Sequence, residues 1–192
     1  MSETINETGS AVKVKIALSK GDERILVDDM KRRSGYAVDG IAIYDGEHAI
    51  LMSTEEMEAA YGGTSADLPE DDERRGATCS MTDFDGSAKT DFVIGYFRLG
   101  EGTAPVAAKA YGWLPDSGEA GLIAENREKA NELLSLVGGT PVGEGLYWTS
   151  VKYSSDYVWH CDMKERKLRM YKGMKEQLAV RAVRALDGYE EV

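Results

Sequence analysis

The residues best suited to chemistry lie in the last third of the chain. Tyr153, Ser154, Ser155, Asp156 and Tyr157 form a tyrosine–serine mixture between two strand-like runs. Tyrosine offers a large rigid contact with a polar tip and little entropy to lose, and serine adapts its hydrogen bonding, so the mixture suits a binding surface. The plainer reading is a hairpin loop whose aromatics cover the edge of a core. His160 and Asp162 follow on one strand face, where the carboxylate could orient the imidazole. The spacing specifies no nucleophile or third partner, so the pair reads as surface hydrogen bonding, not acid–base machinery. His48 falls in an early hairpin. Cys79 and Cys161 have no second Cys or His at metal-ligand spacing, and two cysteines are too few for a disulfide-stapled scaffold. They read as buried free thiols.

The strand that would carry this chemistry alternates. Tyr157, Trp159, Cys161 and Met163 fall on one face and Val158, His160 and Asp162 on the other. The tryptophan marks the first face as the buried one. After a turn at Lys164–Lys167, Leu168 and Met170 alternate with Arg169 and Tyr171. Gln177–Leu186 then supplies Val180, Val183 and Leu186 to a core, with Arg181 and Arg184 as surface or ion-pair residues.

Earlier in the chain, Ala11–Leu18 alternates as a half-buried strand, and Arg24–Val27 makes a second across a turn containing Gly21. Gly40–Met52 reads as a hairpin about Asp45–Gly46, a dipeptide suited to a two-residue turn. Ser53 with Glu56 resembles a capping box and predicts a short helix to Gly62–Gly63. The acidic stretch 64–76 lacks the regular oxygen-ligand spacing of a calcium loop and reads as solvated. Asp85–Gly86–Ser87 opens an amphipathic helix carrying Phe92, Ile94 and Phe97. The small-residue run Ala104–Trp113 suits close approach to another element. Asp116 or Ser117 can cap a further helix, with Glu119 at its positive end. That helix carries Leu122, Ile123, Ala130, Leu133, Leu134 and Leu136 to a stop at Gly138–Gly139, with a break near Asn126.

Composition narrows the classes. A chain of 192 residues that is 42% hydrophobic can bury one full core. Its net charge of -11 opposes binding to a polyanion, and there is no basic arm, so no nucleic-acid partner is expected. No apolar run approaches the roughly 20 residues of a membrane span, so no membrane insertion is expected. The polar start MSETINETGS is unlike a secretory signal, which favours a location reached without export if Met1 is native.

From Asp83 onward the sequence resembles the C-type-lectin-like domains of bacterial surface and phage proteins, the Lcl-like or major paralogous domain group. The residues that carry the resemblance are DGSAKT at Asp85–Thr90, AAKAYGWLPDSGE at Ala107–Glu119, and the span from Asn126 through Leu134 to Gly138–Gly139. They continue in YWTSVKYSS at Tyr147–Ser155, Val158–Trp159 and VRAVRAL at Val180–Leu186. In order, these cover somewhat more than half the chain.

The resemblance implies an α+β fold of the C-type-lectin-like kind, two helices packed on a twisted antiparallel sheet with the termini close together. Residues 1–38 would be an N-terminal β extension with a hairpin, and 39–192 the C-type-lectin-like domain. Relatives of this kind include adhesins, phage receptor-binding proteins and retroelement-diversified variable proteins. The resemblance implies a ligand surface at Lys152, Tyr153, Ser154, Ser155, Asp156, Tyr157, His160, Asp162, Arg169 and Tyr171. Adenine mutation of asparagine-type codons cannot yield Lys, Glu, Met or Gln, which crowd Lys164–Gln177, so diversification is confined at most to Lys152–Asp162. The acidic or amide residue beside a proline that calcium-dependent sugar binding uses is missing. The cysteine pair of enzymes on this fold is missing too.

The expectation is therefore a non-enzymatic, calcium-independent receptor-binding protein without a cofactor, on a phage tail or surface appendage. Its ligand would be a cell-surface protein or glycan, and residues 1–38 would mediate homo-oligomer, fibre or virion contacts. The competing expectation is a structural decoration module with no external ligand.

Overall fold

The computed structural model describes residues 12–31, 33–62, 84–152 and 157–192. The fold is α+β, with two mixed sheets and four helices among these residues. The first half supplies strands β1 (Lys13–Lys20), β2 (Glu23–Val27), β3 (Ala37–Tyr44), β4 (Ala49–Met52) and β5 (Met57–Ala60). Helices α1 (Gly86–Phe97), α2 (Ala104–Ala108), α3 (Ser117–Glu125) and α4 (Arg127–Val137) follow. The chain closes with β6 (Leu146–Lys152), β7 (Tyr157–Asp162), β8 (Lys167–Lys172), β9 (Gln177–Val180), β10 (Val183–Ala185) and β11 (Glu190–Glu191).

The six-stranded sheet has the order β10-β4-β3-β1-β2-β11 and the five-stranded sheet β5-β9-β6-β7-β8. Each contains one parallel pair, β11 with β2 and β6 with β9. Among the described residues the α+β class is therefore realised as four helices with two mixed sheets. Residues Lys13–Val27 lie inside the larger sheet, with β1 hydrogen-bonded to both β2 and β3.

Helices α3 and α4 pack in the main core with both sheets. Ile16, Leu18, Ile41, Ile43, Ile50 and Met52 of the larger sheet share this cluster with Ile123, Leu133 and Leu134. Tyr147, Cys161 and Met163 enter it from the smaller sheet. The other face of the smaller sheet is also covered, because Trp148, Val158 and Val180 cluster with Tyr61, Leu114 and the α2 alanines. The other face of the larger sheet carries Ala17, Leu26, Ala42 and Leu51 under Tyr44, Tyr111, Leu186 and Tyr189. Alternation therefore sorts residues between two covered faces, which is why Ala17 is buried on the face opposite Ile16 and Leu18.

The α3 cap forms as its residue types require. Asp116 accepts from the Ser117 amide, and Glu119 returns a carboxylate oxygen to the Asp116 amide at 2.7 Å. The break falls at Asn126, and α4 ends at Gly138 in a left-handed conformation, φ 72°. Leu136, expected in the core, is 54% exposed. The small-residue run meets β10 closely: Trp113 and Val183 exchange two backbone hydrogen bonds. A Cβ on Gly112 would lie 2.1 Å from the Val183 carbonyl oxygen.

Two local expectations are corrected. The helix predicted after Ser53 is strand β5, in register with β9 from Met57↔Val180 to Ala60↔Gln177. The Ser53 hydroxyl makes a tight turn with Glu55 instead of capping a helix. Glu56 is drawn away to Arg181 and Tyr147. The β3–β4 connection is a four-residue loop, not a two-residue turn. Asp45 donates its amide to the His48 carbonyl, and its carboxylate accepts from the Glu47 and His48 amides.

Candidate functional site

The residues singled out in the sequence gather on the β6–β7–β8 half of the smaller sheet. Tyr153, Ser154, Ser155 and Asp156 lie outside the described residues, as do Cys79 and the acidic stretch 64–76. Lys152, Val158 and Tyr171 occupy neighbouring register positions on β6, β7 and β8. Tyr157 is exposed and so is Arg169.

His160 is not on the surface. It is 2% exposed, opposite fully buried Trp148 in the β6–β7 register. Its face packs on the Tyr61–Leu114–α2 layer, so Val158 and His160 are covered where the sequence suggested solvent. Burial pushes the imidazole down to about 4, against the pull of Asp162. The side chain is neutral at physiological pH.

Asp162 is half-buried and committed locally. It accepts from the Glu165 amide at 3.0 Å and meets the Arg169 guanidinium at 3.4 Å. It fastens the β7–β8 turn, in which Arg166 adopts φ 54°. Cys161 is a buried free thiol near the Ala120 carbonyl, and burial pushes it up to about 12. Because Cys161 faces the main core and His160 the other layer, strand alternation separates thiol from imidazole.

The surface that remains comes from the opposite set of β7 residues. Trp159 is half-buried and pairs laterally with Met170 of β8, which is 49% exposed. Tyr157, 37% exposed, continues the same side of β7 toward residue 156. Tyr157, Trp159 and Met170 thus form an apolar and aromatic stripe beside the open edge of the sheet, with Arg169 and Lys167 exposed along β8. Sequence reasoning missed Trp159 and Met170, because a tryptophan was taken to mark the covered face. The available signal was Met170 itself, flanked by Arg169 and Tyr171 in a strand rich in charge.

A rigid platform lies beneath. The Trp148 indole donates to the Ala59 carbonyl at 2.8 Å, and the Thr149 hydroxyl donates to the Trp159 carbonyl at 2.7 Å. Arg181 is fully buried and closes the join between the sheets. Its guanidinium meets Glu56 at 2.8 Å and the carbonyls of Thr140 and Ser53 at 2.9 and 3.1 Å. Tyr147 donates to the same Glu56 carboxylate and accepts from the Gly143 amide. Burial raises the Tyr147 hydroxyl far above its ordinary range, so it remains a donor.

Among the described residues, no helix is long and apolar enough to cross a membrane. No protein-family model, curated protein or solved structure matches the chain.

Proposed function

We propose that the chain is a non-enzymatic ligand-binding protein with a C-type-lectin-like scaffold, recognising a cell-surface protein or glycan through the β7–β8 face. The observation that carries this reading is the Tyr157–Trp159–Met170 stripe, with Tyr157 and Met170 exposed and Trp159 half-buried, held in the β7–β8 register of the sheet. Tyrosine, tryptophan and methionine are enriched where proteins bind partners, and clustered exposed apolar surface marks interaction sites. Lys167 and Arg169 alternate with Met170 along β8 and so project from the opposite side of the sheet, leaving the stripe itself apolar and aromatic.

The scaffold reading draws support from the order of elements. Helices α3 and α4 lead into a β6–β7–β8–β9 sheet, and β10 then returns to pair with β4. The described ends approach each other, with Lys13 2.8 Å from Glu191. The non-enzymatic reading rests on the separation of Cys161 from His160 and on the burial of both. A place on a phage tail or surface appendage belongs to the same proposal and rests on the sequence resemblance.

The test is binding of the purified protein to whole bacterial cells and to a glycan array, beside Tyr157→Ala/Met170→Ala. Loss of binding by the folded variant supports recognition at this face. Equal binding by both proteins moves the ligand elsewhere.

A further inference from the structure

A second concavity lies away from the β7–β8 face, where the β1–β2 turn, the start of β3 and the segment following β10 meet. It has a volume of about 380 Å³, within the range of small-molecule sites. Arg24, Asp39, Trp113, Arg184, Asp187 and Tyr189 contribute to its wall. Four separate parts of the chain supply these residues, so no sequence spacing announces them.

Asp39 organises the floor. Its carboxylate accepts from the Ser19 hydroxyl at 3.0 Å and the Tyr189 hydroxyl at 2.8 Å, while its carbonyl accepts from Tyr111 at 2.7 Å. Arg184 stands 3.8 Å from the same carboxylate, and its guanidinium lies 4.9 Å from the centre of the Tyr111 ring. Asp39 and Arg184 therefore largely answer each other. The Trp113 indole is tied inward, donating to both Glu119 carboxylate oxygens at 3.0 and 3.2 Å, so its ring stands as a fixed wall.

Arg24 is differently placed. Its guanidinium donates to the Asp187 carbonyl at 3.2 Å and lies 5.8 Å from the centre of the Tyr189 ring. Among the described residues it has no carboxylate within ion-pair distance. Arg24 lines the cavity, and these neutral contacts leave its charge without a carboxylate partner among the described residues. A guanidinium matches a carboxylate in two parallel hydrogen bonds. The carboxylates of Asp39 and Asp187 in the wall disfavour a dianion but accept hydroxyl donors.

We propose that this cavity binds a small monocarboxylate bearing hydroxyl groups, with the carboxylate on Arg24, hydroxyls toward Asp187 and the molecule's body against Trp113. The site is independent of the recognition face, so Tyr157→Ala/Met170→Ala leaves it intact.

The experiment is a nitrogen–proton NMR titration of the full chain, following the Trp113 indole signal, assigned with Trp113→Phe. The probes are glucuronate and gluconate, beside glucose and inorganic phosphate. Saturable shifts of the Trp113 signal are expected with both carboxylates, and Arg24→Gln, an exposed substitution, weakens them about tenfold or more. Glucose and phosphate bind more weakly than either. The proposal is overturned if neither carboxylate saturates, if Arg24→Gln binds as the parent does, or if glucose or phosphate binds as tightly as the carboxylates.

Discussion

At the scale of single residues, Arg181 shows how the fold tolerates a buried charge. Its guanidinium has a carboxylate and two carbonyls within 3.1 Å, and Tyr147 anchors the same carboxylate from the other side. Removing one partner of such a pair leaves an uncompensated charge. Glu56→Ala is therefore expected to lower stability by about 3–5 kcal/mol, read from the urea midpoint at constant slope. His160 and Glu119 make opposite pH signatures. The imidazole falls from 6.5 to about 4 on folding, so the unfolded chain binds the extra proton between those values. Its contribution to stability is present above pH 6.5 and is lost as pH falls toward 4. Burial raises Glu119 from 4.5 to about 7, so there the folded chain binds the extra proton. That contribution is present below pH 4.5 and is lost as pH rises through 7. Denaturation across pH 4–8 should show His160→Asn removing part of the acid-side loss. Glu119→Gln should gain on the parent as pH rises from 4.5 to 7.

At the scale of elements, what was legible in the sequence depended on how local the cause was. The β1–β2 and β3–β4 hairpins follow from alternation and turn residues, and α3 and α4 follow from Asp116, Glu119, Asn126 and Gly138, all within a few residues of the ends they set. Strand β5 was not legible, because its partner β9 lies far along the chain and its capping residues were recruited by Arg181 and Tyr147. The face of β7 was misassigned for a related reason. Periodicity tells which residues share a face, but both faces of this strand are covered at its centre, and only the end carrying Tyr157 and Trp159 emerges. The small-residue run was legible as a close approach, and its tightest point makes a prediction. Gly112→Ala drives a methyl group into the Val183 carbonyl and should separate the Gly112–Trp113 segment from β10. A cost of about 1–3 kcal/mol is expected in thermal unfolding, with Gly145→Ala, where a methyl group meets nothing within 4 Å, near neutral.

At the scale of the whole molecule, the two sheets and the helices α3 and α4 form one covered body. From it the β7–β8 edge projects the Tyr157–Trp159–Met170 stripe. A separate region gathers Arg24, Arg184 and Trp113 around a polar cavity. A platform supported by Trp148, Thr149 and Arg181 can carry substitutions at its exposed stripe with little loss of stability, which is the property a recognition surface needs. The most direct measurement is equilibrium adsorption to whole bacterial cells of three proteins: the parent, Tyr157→Ala/Met170→Ala, and Leu136→Ala on the exposed side of α4. All three should share one urea midpoint within about 0.5 kcal/mol per substitution. The account predicts saturable adsorption by the parent and by Leu136→Ala, and adsorption weakened about tenfold or more by Tyr157→Ala/Met170→Ala. Undiminished adsorption by that variant, or no adsorption by the parent, would contradict it.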